Sequence, residues 1–197
     1  GRDESYKQQA WDLLLEQVNR DITFNNSRSP FWEYDNKDIV LQSIALMGSI
    51  HDDLQDDAWD ILIEDVKSDN PSAKALEGMS IIARIEPYYA RQVLDGDEVT
   101  DLLSHDDFII GAAAAATLFE AAYSAQWIAQ NYLLDTVEVI EREFLAKDRS
   151  GSEPNADLYE SYTLNMRQNM EKAIKRIDEE WGILDHNGTT PELIVPN

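Results

Sequence analysis

The chain has no cysteine and only three histidines, and its 16 lysines and arginines stand against 39 aspartates and glutamates. The missing cysteine excludes disulfides, thiolate zinc sites, iron–sulfur ligation and a cysteine nucleophile together, and leaves the redox compartment undetermined. Few basic side chains argue against a nucleic-acid partner, because affinity for a polyanion comes largely from Lys and Arg displacing counterions. An anionic membrane surface is disfavoured on the same ground. The eight glycines are dispersed, so there is no Gly-rich phosphate loop, and no serine sits in a nucleophile-elbow context. His51, His105 and His186 do not form a cluster at zinc spacing. No cofactor and no enzymatic activity are expected from this inventory.

What the chain does contain is acid. Its formal charge is −23, with 22 Asp exceeding 17 Glu and only 7 Lys, spread along the whole length. That balance resembles the cytoplasmic proteins of salt-in halophiles, in which molar salt shortens the Debye length to roughly 3 Å and screens self-repulsion. A basic partner protein is the other use for such a surface. The opening Gly1-Arg2-Asp3-Glu4 turns amphipathic at once, with no leader-like apolar stretch, so a cytoplasmic location is expected. Phe108 to Leu134 carries only one charge, Glu120, but Ser124, Gln126, Gln130 and Asn131 interrupt it. It is expected to be a buried helical stretch and not a membrane insertion.

With 197 residues, 43% of them hydrophobic, the chain can bury one sizeable core. Its organisation shows when Asp69-Asn70-Pro71 is laid over Asp106-Asp107-Phe108, a shift of 37 residues. Ala73, Ala75, Leu76, Met79 and Ile82 then fall on Ile110, Ala112, Ala113, Ala116 and Phe119. One further residue of shift brings Ala83, Pro87, Ala90, Val99 and Leu102 onto Ala121, Ala125, Ile128, Val137 and Ile140. Periods of this size mean stacked helix pairs. Three repeats are expected, about 36–68, 69–105 and 106–147. Asn70-Pro71 and Asp106-Asp107 supply helix-start chemistry. The small residues Gly111 to Ala116 would let a neighbouring helix approach closely.

These residues resemble the HEAT and armadillo-like helical repeats. The signature is Ala83, Pro87 and Ala90, then Val99, Leu102-Leu103, His105-Asp106-Asp107 and Gly111-Ala112-Ala113. The sequence departs from the family in having Ile109-Ile110 where Val-Arg is usual, and in lacking the Pro of the first repeat. The resemblance implies an all-α, right-handed α-solenoid of about three HEAT-like helix pairs whose second helices line a concave binding face.

Residues 1–35 read as an N-terminal capping helix and a loop. The helix carries Trp11, Leu14, Leu15 and Val18 at three and four spacing, and the loop carries Phe31-Trp32-Glu33-Tyr34 packed over the first repeat. After the repeats at 36–147 comes a Gly/Ser/Pro linker, 148–155. A long C-terminal helix and tail follow at 156–197, with Tyr159, Tyr162, Met166, Met170, Ala173, Ile177, Trp181 and Leu184 on one seam. That helix is expected to dock on the third repeat and cover its open side. A partner helix or a second copy is the alternative use of the seam, which would make the chain a homo-oligomer or a subunit of a larger complex.

One motif competes with a scaffold. His51-Asp52-Asp53-Leu54-Gln55-Asp56-Asp57 contains a DDxxD spacing that looks like the first aspartate-rich motif of isoprenyl diphosphate synthases. The resemblance implies a magnesium-dependent prenyl diphosphate enzyme using Asp52, Asp53 and Asp56 as metal ligands. The second aspartate-rich motif and the phosphate-neutralising basic residues of that family are missing. The first expectation is therefore a non-enzymatic protein–protein interaction scaffold or adaptor adapted to high salt. Its partner is another protein, with neither nucleic acid nor membrane insertion involved. The candidate contact residues are Trp59, Tyr88, Tyr89, Tyr132, Tyr162 and Trp181, aromatic anchors of the kind that dominate interfaces.

Overall fold

The computed structural model describes residues 2–21, 36–125, 131–146 and 156–181. Among these residues the chain is all-helical, with no strand. The elements are α1 (Arg2–Asp21), α2 (Asn36–Ile50), α3 (Asp52–Val66), α4 (Ala73–Ile85), α5 (Pro87–Asp95), the single turn α6 (Glu98–Asp101), α7 (Phe108–Ala125), α8 (Asn131–Ile140) and α9 (Ala156–Trp181). A 3₁₀ turn, Leu102–Ser104, follows α6, and a π turn, Glu141–Leu145, extends α8. The sequence-predicted aromatic loop at Phe31–Tyr34, Trp127, the linker at 148–155 and the tail beyond Trp181 lie outside the described residues.

α2, α4 and α7 pack side by side in a row, α2 on α4 and α4 on α7. α3 packs against both α2 and α4, α5 against both α4 and α7, and α8 against α7. α3 thus fills the groove between α2 and α4, and α5 that between α4 and α7. The row runs parallel, as its contacts advance together. Ser72, at the start of α4, donates its hydroxyl to Asp38 at the start of α2. Further along, a Cβ on Gly78 would come within 2.8 Å of the Ala45 Cβ. Between α4 and α7, the Thr117 hydroxyl reaches Leu76 O at 2.9 Å, and Arg84 pairs with Glu120.

Small residues set the spacing. A Cβ on Gly48 would lie 2.5 Å from the Ala58 Cβ, so α2 and α3 touch through a glycine. Gly111 lies against the Phe144 ring and the Leu103 carbonyl in the same way. α7 buries Gly111, Ala112, Ala114, Ala115, Ala121 and Ala122, and is surrounded by α4, α5, α8 and α9. It is long and apolar enough to cross a membrane by length and composition, and in this fold it is the helix that the others enclose.

The enclosed faces of α4 and α7 do not correspond at the shift of 37 read off the sequence. Ala113, Ala116 and Phe119 are only half-buried. The fully enclosed positions of α4 correspond to those of α7 at a shift of 39, with Ala75, Leu76, Met79, Ile82 and Ala83 on Ala114, Ala115, Leu118, Ala121 and Ala122. The reason is length: α7 has 18 residues and α4 has 13, so their starts cannot be used to align their faces.

Helix starts explain part of the pattern. Asn70-Pro71 is not the first turn of α4. Ser72 is its cap, accepting a hydrogen bond from the Lys74 N–H at 3.0 Å, while Pro71 is buried before it. Asp107 caps α7 through the Ile109 N–H at 2.8 Å. α5 opens with Pro87 at its first position, and the Glu86 side chain accepts from the Tyr88 N–H. A polar knot joins α2, α3 and α4. Asp65, almost enclosed, takes an ion pair from Lys37 and a hydrogen bond from the Ser72 N–H at 2.8 Å.

α9 lies against α7 and α8. Tyr162 donates its hydroxyl to Ala112 O at 2.7 Å and meets the rings of Phe108 and Phe144 edge-on. Met166, Met170 and Ala173 are buried beyond it, and Arg167 reaches Glu141 and the Leu145 carbonyl at the π turn.

Candidate functional site

The outer surface of α3 follows from its inner one. Leu54, Ala58, Trp59, Leu62 and Val66 recur at helical spacing and are buried. The intervening Asp52, Asp53, Asp56, Asp57, Asp60 and Glu64 are thereby all exposed, forming a carboxylate stripe along the helix. Two of them have protein partners. Asp53 receives Lys7 of α1 at 2.8 Å, an ion pair that lowers the carboxyl pKa and, with Glu4, raises that of the ammonium. Asp56 accepts the Tyr89 hydroxyl.

That second bond explains where the aromatic residues stand. Tyr89 lies on α5 with its ring 4.6 Å from Trp59 at 35°, and both are only 3% exposed. Burial, reinforced by the neighbouring Asp56 charge, pushes the Tyr89 phenol pKa upward. Trp59 and Tyr89 are therefore corrected from partner anchors to packing between α3 and α5, since neither presents a side chain to solvent. Tyr88, the next residue, turns the other way. Its ring meets Tyr89 edge-on at 5.2 Å and remains 59% exposed. Tyr132 is half-buried on α8 and donates to Asp95 of α5 at 3.2 Å. Tyr162 is occupied inside the α7–α9 contact, where burial and then the Glu77 charge push its pKa up to about 12. It too is corrected from surface anchor to packing residue. The Trp181 side chain lies outside the described residues.

A regularity that sequence reasoning missed emerges from these bonds. In both cases a tyrosine of one second helix donates to an aspartate of the preceding one: Tyr89 of α5 to Asp56 of α3, and Tyr132 of α8 to Asp95 of α5. The separations are 33 and 37 residues, close to the 37-residue shift read off the sequence. The second helices are thus tied in a row by phenol–carboxylate bonds, as the first helices are by packing.

The DDxxD spacing does not become a metal cage. Asp53 is drawn to Lys7 and Asp56 to Tyr89, and among the described residues no three His, Asp or Glu side chains converge as cation ligands. The candidate ligand set Asp52, Asp53 and Asp56 is corrected on that geometry. What the surface offers is an open row of carboxylates on α3 and the exposed Tyr88 ring of α5, set edge-on to the Tyr89 ring that Asp56 holds. This is the chemistry that receives lysine or arginine side chains, by charge along α3 and by ring-face contact at Tyr88. Asp57, Asp60 and Glu64, which sequence reasoning had not singled out, belong to it. The signal was the inward Leu54, Ala58, Leu62 spacing that leaves them outside.

Comparison with family models, curated proteins and solved structures gives no match to this chain.

Proposed function

We propose that the protein is a non-enzymatic interaction scaffold. It is built as a right-handed α-solenoid of three HEAT-like helix pairs and works in the cytoplasm at high salt. Its partner is another protein, which presents a basic segment to the second-helix face. The observation that carries this reading is the exposed carboxylate stripe of α3, with the exposed Tyr88 ring set edge-on to Tyr89, whose hydroxyl reaches Asp56 of that stripe. The parallel row of first helices, with second helices in the grooves, supports the solenoid, and the excess of Asp over Glu and Lys supports salt adaptation.

A pull-down from native lysate at high salt, read by mass spectrometry, tests it. The intact chain is expected to recover a stoichiometric protein partner. The combined variant Asp57→Asn, Asp60→Asn, Glu64→Gln, Tyr88→Ala is expected to lose that partner while keeping its helical circular dichroism. Equal recovery by the variant, or turnover of a substrate that depends on one acidic residue, would overturn the proposal. Salt adaptation has its own test, because the melting temperature should rise as added potassium chloride screens the −23 charge.

A further inference from the structure

We propose that Lys7 of α1 is a built-in competitor for the α3 carboxylates, occupying the first position of their row and yielding it to a basic side chain of the partner. This role rests on α3 being the surface that receives a basic segment, and it sets access to that surface.

Helical geometry makes the row. Asp53, Asp57, Asp60 and Glu64 are spaced by four, three and four residues, so at about 100° per residue they stay within about 60° of one another on one side of α3. At about 1.5 Å per residue the row is about 16 Å long. All four are exposed, and Lys7 is the one Lys or Arg paired with them among the described residues. Its ammonium meets Asp53 at 2.8 Å across a separation of 46 residues. The row thus already receives a lysine from a neighbouring helix, as it would receive one from a partner.

The two ends of the row differ. Asp53 stands in the first turn of α3, where the helix dipole favours an anion, and it has Lys7 besides. Glu64 stands in the last turn, where the dipole opposes a carboxylate and no basic side chain offsets it. A basic segment therefore gains most at the Glu64 end and meets Lys7 at the other. Lys7 is placed to let go, because its ammonium also holds Glu4, one turn away on its own helix, at 2.8 Å. Leaving Asp53 keeps one of its two ion pairs, and the Asp53 side chain is 64% exposed to an incoming cation. The helix itself stays seated through the buried Trp11. Salt does not remove the contact, since a pair at 2.8 Å lies within even the roughly 3 Å Debye length of molar salt.

Isothermal titration of the full chain with a synthetic oligolysine peptide tests this, at the lowest potassium chloride concentration that keeps the native circular dichroism. Lys7→Gln should bind about two- to fivefold more tightly, the range of an exposed ion pair. Lys172→Gln, the same loss of charge on α9, should leave the affinity unchanged. Asp53→Asn, which keeps the Lys7–Glu4 pair, should change the affinity little, whereas Asp57→Asn should weaken it. Adding Asp53→Asn to Lys7→Gln should abolish the gain. A native chain that binds the peptide and gains nothing from Lys7→Gln overturns the competitor role alone. So does a gain that survives Asp53→Asn, or a loss from Asp53→Asn as large as that from Asp57→Asn. No binding by the native chain or by Lys7→Gln overturns the reading of the α3 surface, and the competitor role with it.

Discussion

On the α9 side of the molecule the last described helix buries Met166, Met170 and Ala173 against its neighbours and turns mixed charge outward. On the α1 side, Trp11 is buried and Leu14, Leu15 and Val18 are half-covered, while Leu13, Leu46 and Ile50 are left at the surface. Both are amphipathic helices laid against a helix of the row, so amphipathicity alone does not decide how a face is finished. The difference lies in the receiving surface. α9 meets Phe108 and Phe144 and anchors its phenol on the Ala112 carbonyl. α1 meets α2, whose outer side carries Ile39, Leu46 and Ile50 among Gln42, Ser43 and Ser49. A helix that is hydrophobic on both sides needs cover on both, and α1 supplies one.

This contrast can be broken or sharpened by substitution. The largest loss is expected on the α9 side, where Phe144→Ala empties the centre of the Phe108, Phe144 and Tyr162 cluster. Urea denaturation should show a loss of about 3–5 kcal/mol. On the α1 side the sharpest core change is Gly48→Ala, which sets a Cβ against the Ala58 Cβ at the α2–α3 contact. Overpacking of about 1–3 kcal/mol should outweigh the roughly 1 kcal/mol that alanine gains in helix propensity, so the denaturation midpoint should fall.

Tyr162→Phe should lower stability by about 0.5–1.5 kcal/mol through the lost hydrogen bond to Ala112 O. It should also change the alkaline limb of a stability–pH curve. The folded phenol holds its proton up to about 12, whereas the unfolded one releases it near about 10. Its contribution is full below the lower value and is lost as pH rises through the upper one. The slope over that window should become shallower in the variant without vanishing, because the Tyr89 phenol is raised in the same direction.

The smallest effects belong to Leu46→Gln and Leu164→Gln, at 48% and 57% exposure on the two sides. Each should change stability by no more than about 0.5 kcal/mol. A clearly larger loss from Leu46→Gln alone would mean that the apolar groove between α1 and α2, lined in part by Leu46, is filled within the chain.

Helical periodicity made the helices legible in the sequence, and capping chemistry made some of their starts so. Asp107 of the Asp106-Asp107 pair caps α7 as read, but Pro71 drew attention two residues early, because the nearby Ser72 hydroxyl is the group that reaches an α4 N–H. The candidate site was legible in type and not in orientation. Tyr88 and Tyr89 are adjacent, and neighbours on a helix point about 100° apart. One of the two had to turn inward, and only the position of Trp59 and Asp56 on α3 decides which. The Tyr–Asp ties were present in the sequence at nearly the repeat step, yet such a pair cannot be recognised until the second helices are known to lie in a row. The apolar side of α2 left uncovered was invisible for a similar reason, since Ile39 and Ile50 sit at helical spacing with the buried Val40 and Ile44.

The π turn at Glu141–Leu145, closed by the Ala146 N–H on Glu141 O at 2.9 Å, carries a consequence for how the chain tolerates change in length. A turn closed from i to i+5 holds one residue more than an α-helical turn without breaking the helix. Removing one exposed residue there, Arg142, would close the turn at ordinary helical pitch and leave the residues after it on nearly the same faces, with Phe144 still beside Gly111. At this turn the chain can shorten by one residue at little expense to the packing around it, whereas the same deletion inside α7 would turn half of its buried face outward by about 100°.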